Sequence, residues 1–308
     1  MNMKNEHADS DLSAFQAKHG LGQNFLRDRQ VLNRITDTAR SLLMDTGPSP
    51  ADTLCVEIGP GTGQLTAGLL EAGFRVTALE IDERLKPVLL DRYGANERFR
   101  LIMGDAGATD LRTLVRPDQS AAVLGISNLP YYITTPLVIQ YLSELPEALG
   151  FIFMVQADVL TRLRPSRNKK DSIKRRGPVQ ILGEAYGTVE VVQQVAAGAF
   201  DPAPRVGSVL LAYRPAQITT EERAFYLEHP KTFVRYLETV FTQRRRTMSN
   251  NLKAGLEQQS TAYNAGDVLE YIFRSRPELA GQRAEQLSVE EHLRIARRWQ
   301  ECLTQQQT

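Results

Sequence analysis

Apolar residues in the first two thirds of the chain switch repeatedly between two periods. Val31, Leu32, Ile35, Ala39, Leu42 and Leu43 recur at helical spacing, which predicts an entry helix with Asp28 as its N-cap and Gly47-Pro48 as its stop. Short apolar runs follow at residues 53–58, 74–81, 99–103, 121–126 and 150–155, with helical stretches between them. Strands alternating with helices predict a parallel sheet covered on both faces. Two more β-rich runs, 188–195 and 208–213, stand too close for a crossover helix and predict an antiparallel edge pair. Beyond Arg214-Pro215 glycine becomes sparse and the period turns wholly helical. Phe233, Leu237, Val240 and Phe241 share one helix face. Ser288 with Glu291 forms a capping box that opens a last helix through Leu293, Ala296 and Trp299. The expected organisation is a polar, disordered tail over 1–17, an α/β domain over 18–215 and a small all-α C-terminal domain over 216–308.

Composition refines this only at the margins. A length of 308 residues suits two domains. Lys+Arg number 37 against 36 Asp+Glu, so the net charge of +1 moves attention from the whole chain to local clusters. Cys55 and Cys302 are the two cysteines, with no CxxC and no histidine at ligand spacing, which argues against a disulfide framework and against a metal site. No run reaches the roughly 18 apolar residues of a membrane span, and residues 1–17 lack the apolar core of a leader. These features predict a cytoplasmic protein with no membrane partner.

The first predicted strand runs into Glu57-Ile58-Gly59-Pro60-Gly61-Thr62-Gly63, followed by a helix from about Gln64 to Gly73. Glycines let the chain turn sharply and let a ligand approach the main chain, while the helix N-terminus offers unpaired N–H groups. That combination suits a nucleotide-like ligand. A dinucleotide fingerprint would read GxGxxG, whereas here position 64 is Gln and the third glycine comes early, so the spacing leans away from NAD. The second strand ends at Glu80, 21 residues beyond Gly59, where a carboxylate can accept from both ribose hydroxyls. The third ends at Gly104-Asp105-Ala106, placed to meet an adenine edge. Each feature alone also reads as a tight turn or a capping acid. In strand order, the set resembles the S-adenosylmethionine site of class I (Rossmann-like) methyltransferases.

The fourth strand ends in Ser127-Asn128-Leu129-Pro130-Tyr131-Tyr132, where a doubly wound sheet presents its reactive groups. An exocyclic amine of adenine or cytosine is a poor nucleophile because its lone pair is delocalised into the ring. Two acceptors aimed at its hydrogens push it toward tetrahedral geometry and free that pair. The Asn128 side-chain oxygen and the Leu129 carbonyl can serve as those acceptors, with Pro130 fixing the turn and Tyr131 offering a stacking face.

With Leu21-Gly22-Gln23-Asn24-Phe25-Leu26, the glycine loop, Glu80, Asp105 and the Asn128 motif in place, the chain resembles the ribosomal RNA adenine dimethyltransferase family. Phe200-Asp201-Pro202-Ala203-Pro204-Arg205-Val206-Gly207-Ser208 is similar to the family's FxPxPxVxS. Phe241-Thr242-Gln243-Arg244-Arg245-Arg246 and Asn251-Leu252 look like parts of its small C-terminal domain. The resemblance implies S-adenosylmethionine as cofactor and two methyl transfers to the amine of each target adenine. In the small-subunit branch the targets are two adjacent adenines in a hairpin loop near the 3′ end of 16S rRNA, within a pre-30S or 30S particle, and the enzyme acts as a monomer in ribosome biogenesis. Carried over by position, the resemblance puts Asn24 and Leu26 against the cofactor. It sets Gly59 and Gly61 at the methionine end, Glu80 at the ribose and Asp105 at the adenine. It gives Asn128 contact with both cofactor and amine, and makes Tyr131 and Phe200 a sandwich for the target base, although Phe200 taken alone reads as core and only its proline-rich setting together with the family pattern reverses that. The family's Gln-basic-Glu and Ser-Lys-x-Tyr-Gly segments after the fifth strand are replaced here by Gln156-Ala157-Asp158 and a basic run.

That run holds eight basic residues, Arg162, Arg164, Arg167, Lys169, Lys170, Lys174, Arg175 and Arg176, against one acid. Directly after the strand beside the catalytic one, it suits RNA phosphates, as a solvated loop would not require. Arg244, Arg245 and Arg246 are expected to close a helix and either complement its dipole or meet RNA. Three other readings stand beside the dimethyltransferase: a 23S rRNA methyltransferase of antibiotic-resistance type, a non-catalytic rRNA-binding assembly factor, and a small-molecule dehydrogenase.

Overall fold

Alternating periods in the sequence become alternating elements in a computed structural model of the protein, which describes residues 23–44, 47–115, 122–164, 176–216, 220–259 and 264–304. The expected tail over 1–17 lies outside the described residues. In chain order the elements are β1 (Phe25–Leu26), α1 (Arg29–Leu43), β2 (Thr53–Ile58), α2 (Gln64–Glu71), β3 (Arg75–Glu80), α3 (Lys86–Tyr93) and β4 (Phe99–Met103). They continue with β5 (Ala122–Asn128), α4 (Thr134–Glu144), β6 (Gly150–Gln156), α5 (Leu160–Leu163), α6 (Pro178–Tyr186), β7 (Gly187–Val195), β8 (Phe200–Asp201) and β9 (Ser208–Pro215). Five helices follow: α7 (Glu221–Glu228), α8 (Pro230–Phe241), α9 (Met248–Gln259), α10 (Ala265–Phe273) and α11 (Val289–Thr304).

Seven strands form one sheet in the order β4-β3-β2-β5-β6-β9-β7. β2 pairs in parallel with β3 on one side and with β5 on the other, and β3–β4 and β5–β6 are parallel too. All six residues of β2 are buried, as befits a central strand covered on both faces. The winding reverses on either side of β2, and a cleft opens at the carboxyl ends of the strands at such a point. A separate two-stranded ladder joins β1 to β8, with Leu26 opposite Phe200. The Asp28 carboxylate caps α1 by accepting from the N–H groups of Gln30 and Val31.

The chain divides into two compact units, and the division is not the single cut near 215 that composition suggests. The first unit is Met1–Leu137, Ala148–Asp158 and Glu190–Ala212. Its core gathers Ile35 and Leu42 of α1, Leu69 of α2, Cys55 and Val76 of the central strands, and Ile152 and Met154 of β6. The second takes Val138–Glu147 and Val159–Val189 together with Tyr213–Thr308. The regrouping has a side-chain cause, since the Tyr226 hydroxyl donates to the Leu142 carbonyl at 2.6 Å and Arg176 pairs with Glu184 while donating to the Leu287 carbonyl. Phe233, Leu237, Val240, Ala296 and Trp299 fill its interior as the helical period predicts, and Ser288 and Glu291 close their capping box on α11. The arginine triplet departs from expectation: α8 ends at Phe241, and Arg244 to Arg246 lie in the following turn, exposed. Among the described residues, no helix is long and apolar enough to cross a membrane.

Candidate active site

The cleft belongs wholly to the first unit and is lined by the segment before α1, the glycine loop, the ends of β3 and β4, and residues 128–133. The glycine loop is the part with least freedom. Gly61 has φ +58°, and a Cβ there would stand 2.9 Å from the Phe25 ring, so any side chain collides with the segment that crosses it. Gly63 has φ +86° at the N-cap of α2, leaving the first amides of that helix directed at the cleft.

Glu80 ties this loop to the end of β3. Its Oε2 accepts from the Gly61 amide at 3.1 Å, and its Oε1 from the Ile81 and Asp82 amides at 3.0 and 2.9 Å. Burial pushes its pKa up, as does the neighbouring Asp82 charge, while the three amides pull the other way. Asp105 stands exposed on the rim, where its Oδ1 caps the next turn through the Gly107 amide at 2.8 Å. Both acids therefore cap, and both also face the cleft, since a carboxylate has more than one acceptor position.

Asn128 is held by a single strong constraint. Its Nδ2 donates to the Asn24 carbonyl at 2.9 Å, which leaves Oδ1 buried without a hydrogen-bond partner. A buried acceptor left unpaired is costly, on the order of 1–3 kcal/mol. The Leu129 amide donates to the Met154 carbonyl at 3.1 Å, and the Pro130 carbonyl accepts from Thr134 Oγ1 at 3.0 Å, so the turn carrying Asn128 is fixed on both sides. Tyr131 lines the cleft with its hydroxyl 3.0 Å from Ser208 Oγ; burial raises its pKa and the Ser208 bond opposes that.

Of the two rings expected to sandwich the target base, the structure brings Tyr131 but not Phe200 to the cleft. Phe200 is 4% exposed, sits in the core with Leu26, Ile152 and Leu210, and does not line the cleft. Its backbone pairs with Leu26 of β1, which does line the cleft. Arg176 also departs from the expected RNA set, because its guanidinium is engaged by Glu184 and the Leu287 carbonyl. Arg162 is exposed and Arg164 half-buried at the end of α5. Arg244 donates to the Arg176 carbonyl at 2.9 Å. Arg167, Lys169, Lys170, Lys174 and Arg175 lie outside the described residues.

Several cleft residues escaped the sequence reading. Ile81 and Tyr132 line the cleft although 44% and 55% exposed. Glu57 was legible only as an acid before the loop. In the structure it is buried, accepts from Thr66 Oγ1 at 2.7 Å, and is pushed by burial, with help from Glu80, up to about 8. No periodicity announces such a residue, because an acid inside a β-strand breaks the apolar pattern without saying why.

These features fit S-adenosylmethionine. A glycine-rich loop accepts close approach, Glu80 and Asp105 bring carboxylate acceptors to the cleft, and Asn128, which lines it too, carries a buried unpaired acceptor. Sheet order, switch-point cleft and acids in strand sequence define a class I methyltransferase. The profile of the ribosomal RNA adenine dimethylase family matches residues 14–272, and the chain belongs to that family. With the family come the reaction and cofactor: dimethylation of rRNA adenines with S-adenosylmethionine. The chain is 35% identical to ribosomal RNA small subunit methyltransferase A of Pseudomonas aeruginosa over 79% of this chain and 84% of that protein. It is 34% identical to the protein of the same name from Saccharophagus degradans, over 82% and 87%. A dimethyladenosine transferase from Plasmodium falciparum shares the fold, with a TM-score of 0.65 at 21% identity over 90% of this chain and 98% of that one.

Proposed function

We propose that this chain dimethylates two adjacent adenines in a hairpin loop near the 3′ end of 16S rRNA, acting as a monomer on a pre-30S or 30S particle in the cytoplasm. The buried, unpartnered Asn128 Oδ1 carries the chemical part of this reading, and the small-subunit names of the relatives support the target. When bound, S-adenosylmethionine supplies an electrophilic methyl group. The glycine loop would receive its methionine end, Glu80 its ribose and Asp105 its adenine, with Asn24 and Leu26 above. Asn128 Oδ1 and the Leu129 carbonyl accept from the two amine hydrogens, so the lone pair leaves conjugation and points at the methyl. No strong base is needed, since the amine acidifies once alkylated and its proton can pass to water. Pro130 holds the acceptors rigid, which is how preorganised dipoles lower a barrier. Tyr131 offers the target base a stacking face, which offsets part of the unstacking cost. Arg162, Arg164, Arg245 and Arg246 contribute phosphate contacts and affinity without base identity.

The test is a product analysis. Small and large subunits from cells lacking this modification, each incubated with the protein and S-adenosylmethionine, should yield N6,N6-dimethyladenosine only in the small subunit, at two adjacent 16S positions, by nucleoside mass spectrometry and primer extension. Methylation confined to 23S rRNA, or binding without methylation, would overturn the target or the activity respectively.

A further inference from the structure

The segment over the cleft is fastened at three points. At its far end β1 pairs with β8, and the Arg27 and Asp28 amides both donate to the Ala199 carbonyl. In the middle the Asn24 carbonyl holds Asn128 Nδ2. At the near end Gln23 Nε2 donates to Asp82 Oδ2 at 3.0 Å, bridging from the strap to the turn after β3. Gln23, Asn24, Phe25 and Leu26 all line the cleft, so this strap forms part of its wall.

Asp82 is built as a fixed acceptor. Its side chain is 2% exposed and gripped by the Arg84 guanidinium, with Nε 2.9 Å from Oδ1 and Nη2 2.6 Å from Oδ2. Its own amide donates to Glu80 Oε1. One short turn thus carries the carboxylate that orders the glycine loop and the carboxylate that holds the strap. A two-residue ladder is a weak anchor for an ordered segment, and a charge-assisted bond at the opposite end supplies what the ladder lacks.

We propose that Asp82 is a positioning residue of the methyl-transfer site: by holding Gln23 it fastens the strap across the cleft, and so keeps the Asn24 carbonyl where it orients Asn128. This inference rests on the cofactor reading given above. The chain of contacts runs Asp82, Gln23 side chain, Asn24 carbonyl, Asn128 amide, with Oδ1 at its end. Arg84 neutralises Asp82 from the solvent side, so the latch remains a carboxylate; its pKa is pulled down to about 2, chiefly by the Arg84 bonds.

The experiment is a double-mutant cycle on S-adenosylhomocysteine binding, measured by calorimetry on the full chain. Gln23→Ala should weaken binding by about tenfold, the scale of one hydrogen bond to a charged group. Asp82→Ala should weaken it at least as much, and the double variant should bind no worse than Asp82→Ala alone, because both changes cut the same bond. Methylation at saturating cofactor should also slow in Gln23→Ala, since Asn128 loses its orientation even when the site is full. Unchanged affinity in Gln23→Ala, or two effects that multiply in the double variant, would overturn the latch. A full rate at saturating cofactor would overturn its link to Asn128. Should Asp82→Ala fail to fold, Gln23→Ala decides alone, because removing the Gln23 side chain leaves the Arg84 pair intact. Failure of the wild-type protein to bind S-adenosylhomocysteine would instead sink the cofactor reading itself.

Discussion

The cleft of the first unit and the basic segments of the second both carry charged side chains, but they use them in opposite ways. In and beside the cleft, the acids Glu57, Glu80 and Asp82 are buried and tied to backbone amides, Thr66, Gln23 and Arg84. Each acid there has a fixed geometry, Glu57 in the neutral form that its raised pKa favours. In the second unit, Arg162, Arg245 and Arg246 stand exposed, and the arginine that is well held, Arg176, is held by Glu184 and a carbonyl within the same unit. Chemistry on one atom demands preorganised groups, whereas a polyanion is gripped by exposed cations whose contribution is summed over many weak contacts. On the proposed function, the fixed acids belong to the reacting site and the exposed arginines to RNA affinity.

The largest expected effect separates ring from core within this comparison. Phe200→Ala should cost about 3–5 kcal/mol of stability, as for a buried phenylalanine, and the protein that remains folded should methylate at close to the normal rate. Tyr131→Ala should do the reverse, sparing the melting temperature more and weakening RNA-dependent turnover. Thermal melts paired with methylation assays read both, and a Phe200→Ala protein of normal stability with poor turnover would restore the base sandwich.

Glu57 offers a sharper probe of the buried acids. Its folded pKa near 8 stands above the ordinary 4.5, so between those pH values the native chain retains a proton that the unfolded chain has lost. Stability therefore falls as pH rises through this window, at about 1.4 kcal/mol per unit at most, and levels off above about 8. Glu57→Gln should abolish that slope while the amide oxygen introduced there can still accept from Thr66. Urea midpoints of the two proteins should lie closer together at pH 6 than at pH 8.5; parallel profiles would contradict a buried neutral acid.

The smallest effect belongs to the exposed arginines. Arg245→Ala with Arg246→Ala should flatten the salt dependence of RNA binding by up to about 0.7–0.9 log units for each phosphate no longer neutralised, with S-adenosylhomocysteine affinity unchanged. Arg244 is left in place because it bonds the Arg176 carbonyl. An unaltered salt slope would assign this turn to the second unit's own structure.

Legibility in the sequence follows the same divide. Strands, the entry helix and the capping box could be read because local rules govern them: apolar period, glycine where φ is positive, Ser288 three residues before Glu291. The acids at strand ends were legible for the same reason, being fixed by strand order. Phe200 taken alone reads as the core residue it is, and only its proline-rich setting and the family pattern pointed to the cavity. Arg176 was not legible: its ion pair with Glu184 reaches into α6, and its bond to Leu287 closes over a gap of 111 residues. The regrouping of Val138–Glu147 with the C-terminal helices likewise rests on side chains such as Tyr226 that find distant carbonyls. Contacts of that range leave no periodic trace.

The central claim is that Asn128 acts on the target amine rather than on the binding of either partner, and a kinetic split tests it directly. Asn128→Ala should be assayed for single-turnover methylation of small subunits at saturating cofactor, alongside calorimetric binding of S-adenosylhomocysteine. The account predicts a rate lowered by about 100-fold or more, the scale of one preorganised dipole removed from a reacting centre, with cofactor affinity kept within about tenfold. A rate within about twofold of wild type, on a protein of unchanged fold, would contradict it, since twofold is less than about 0.5 kcal/mol on the barrier.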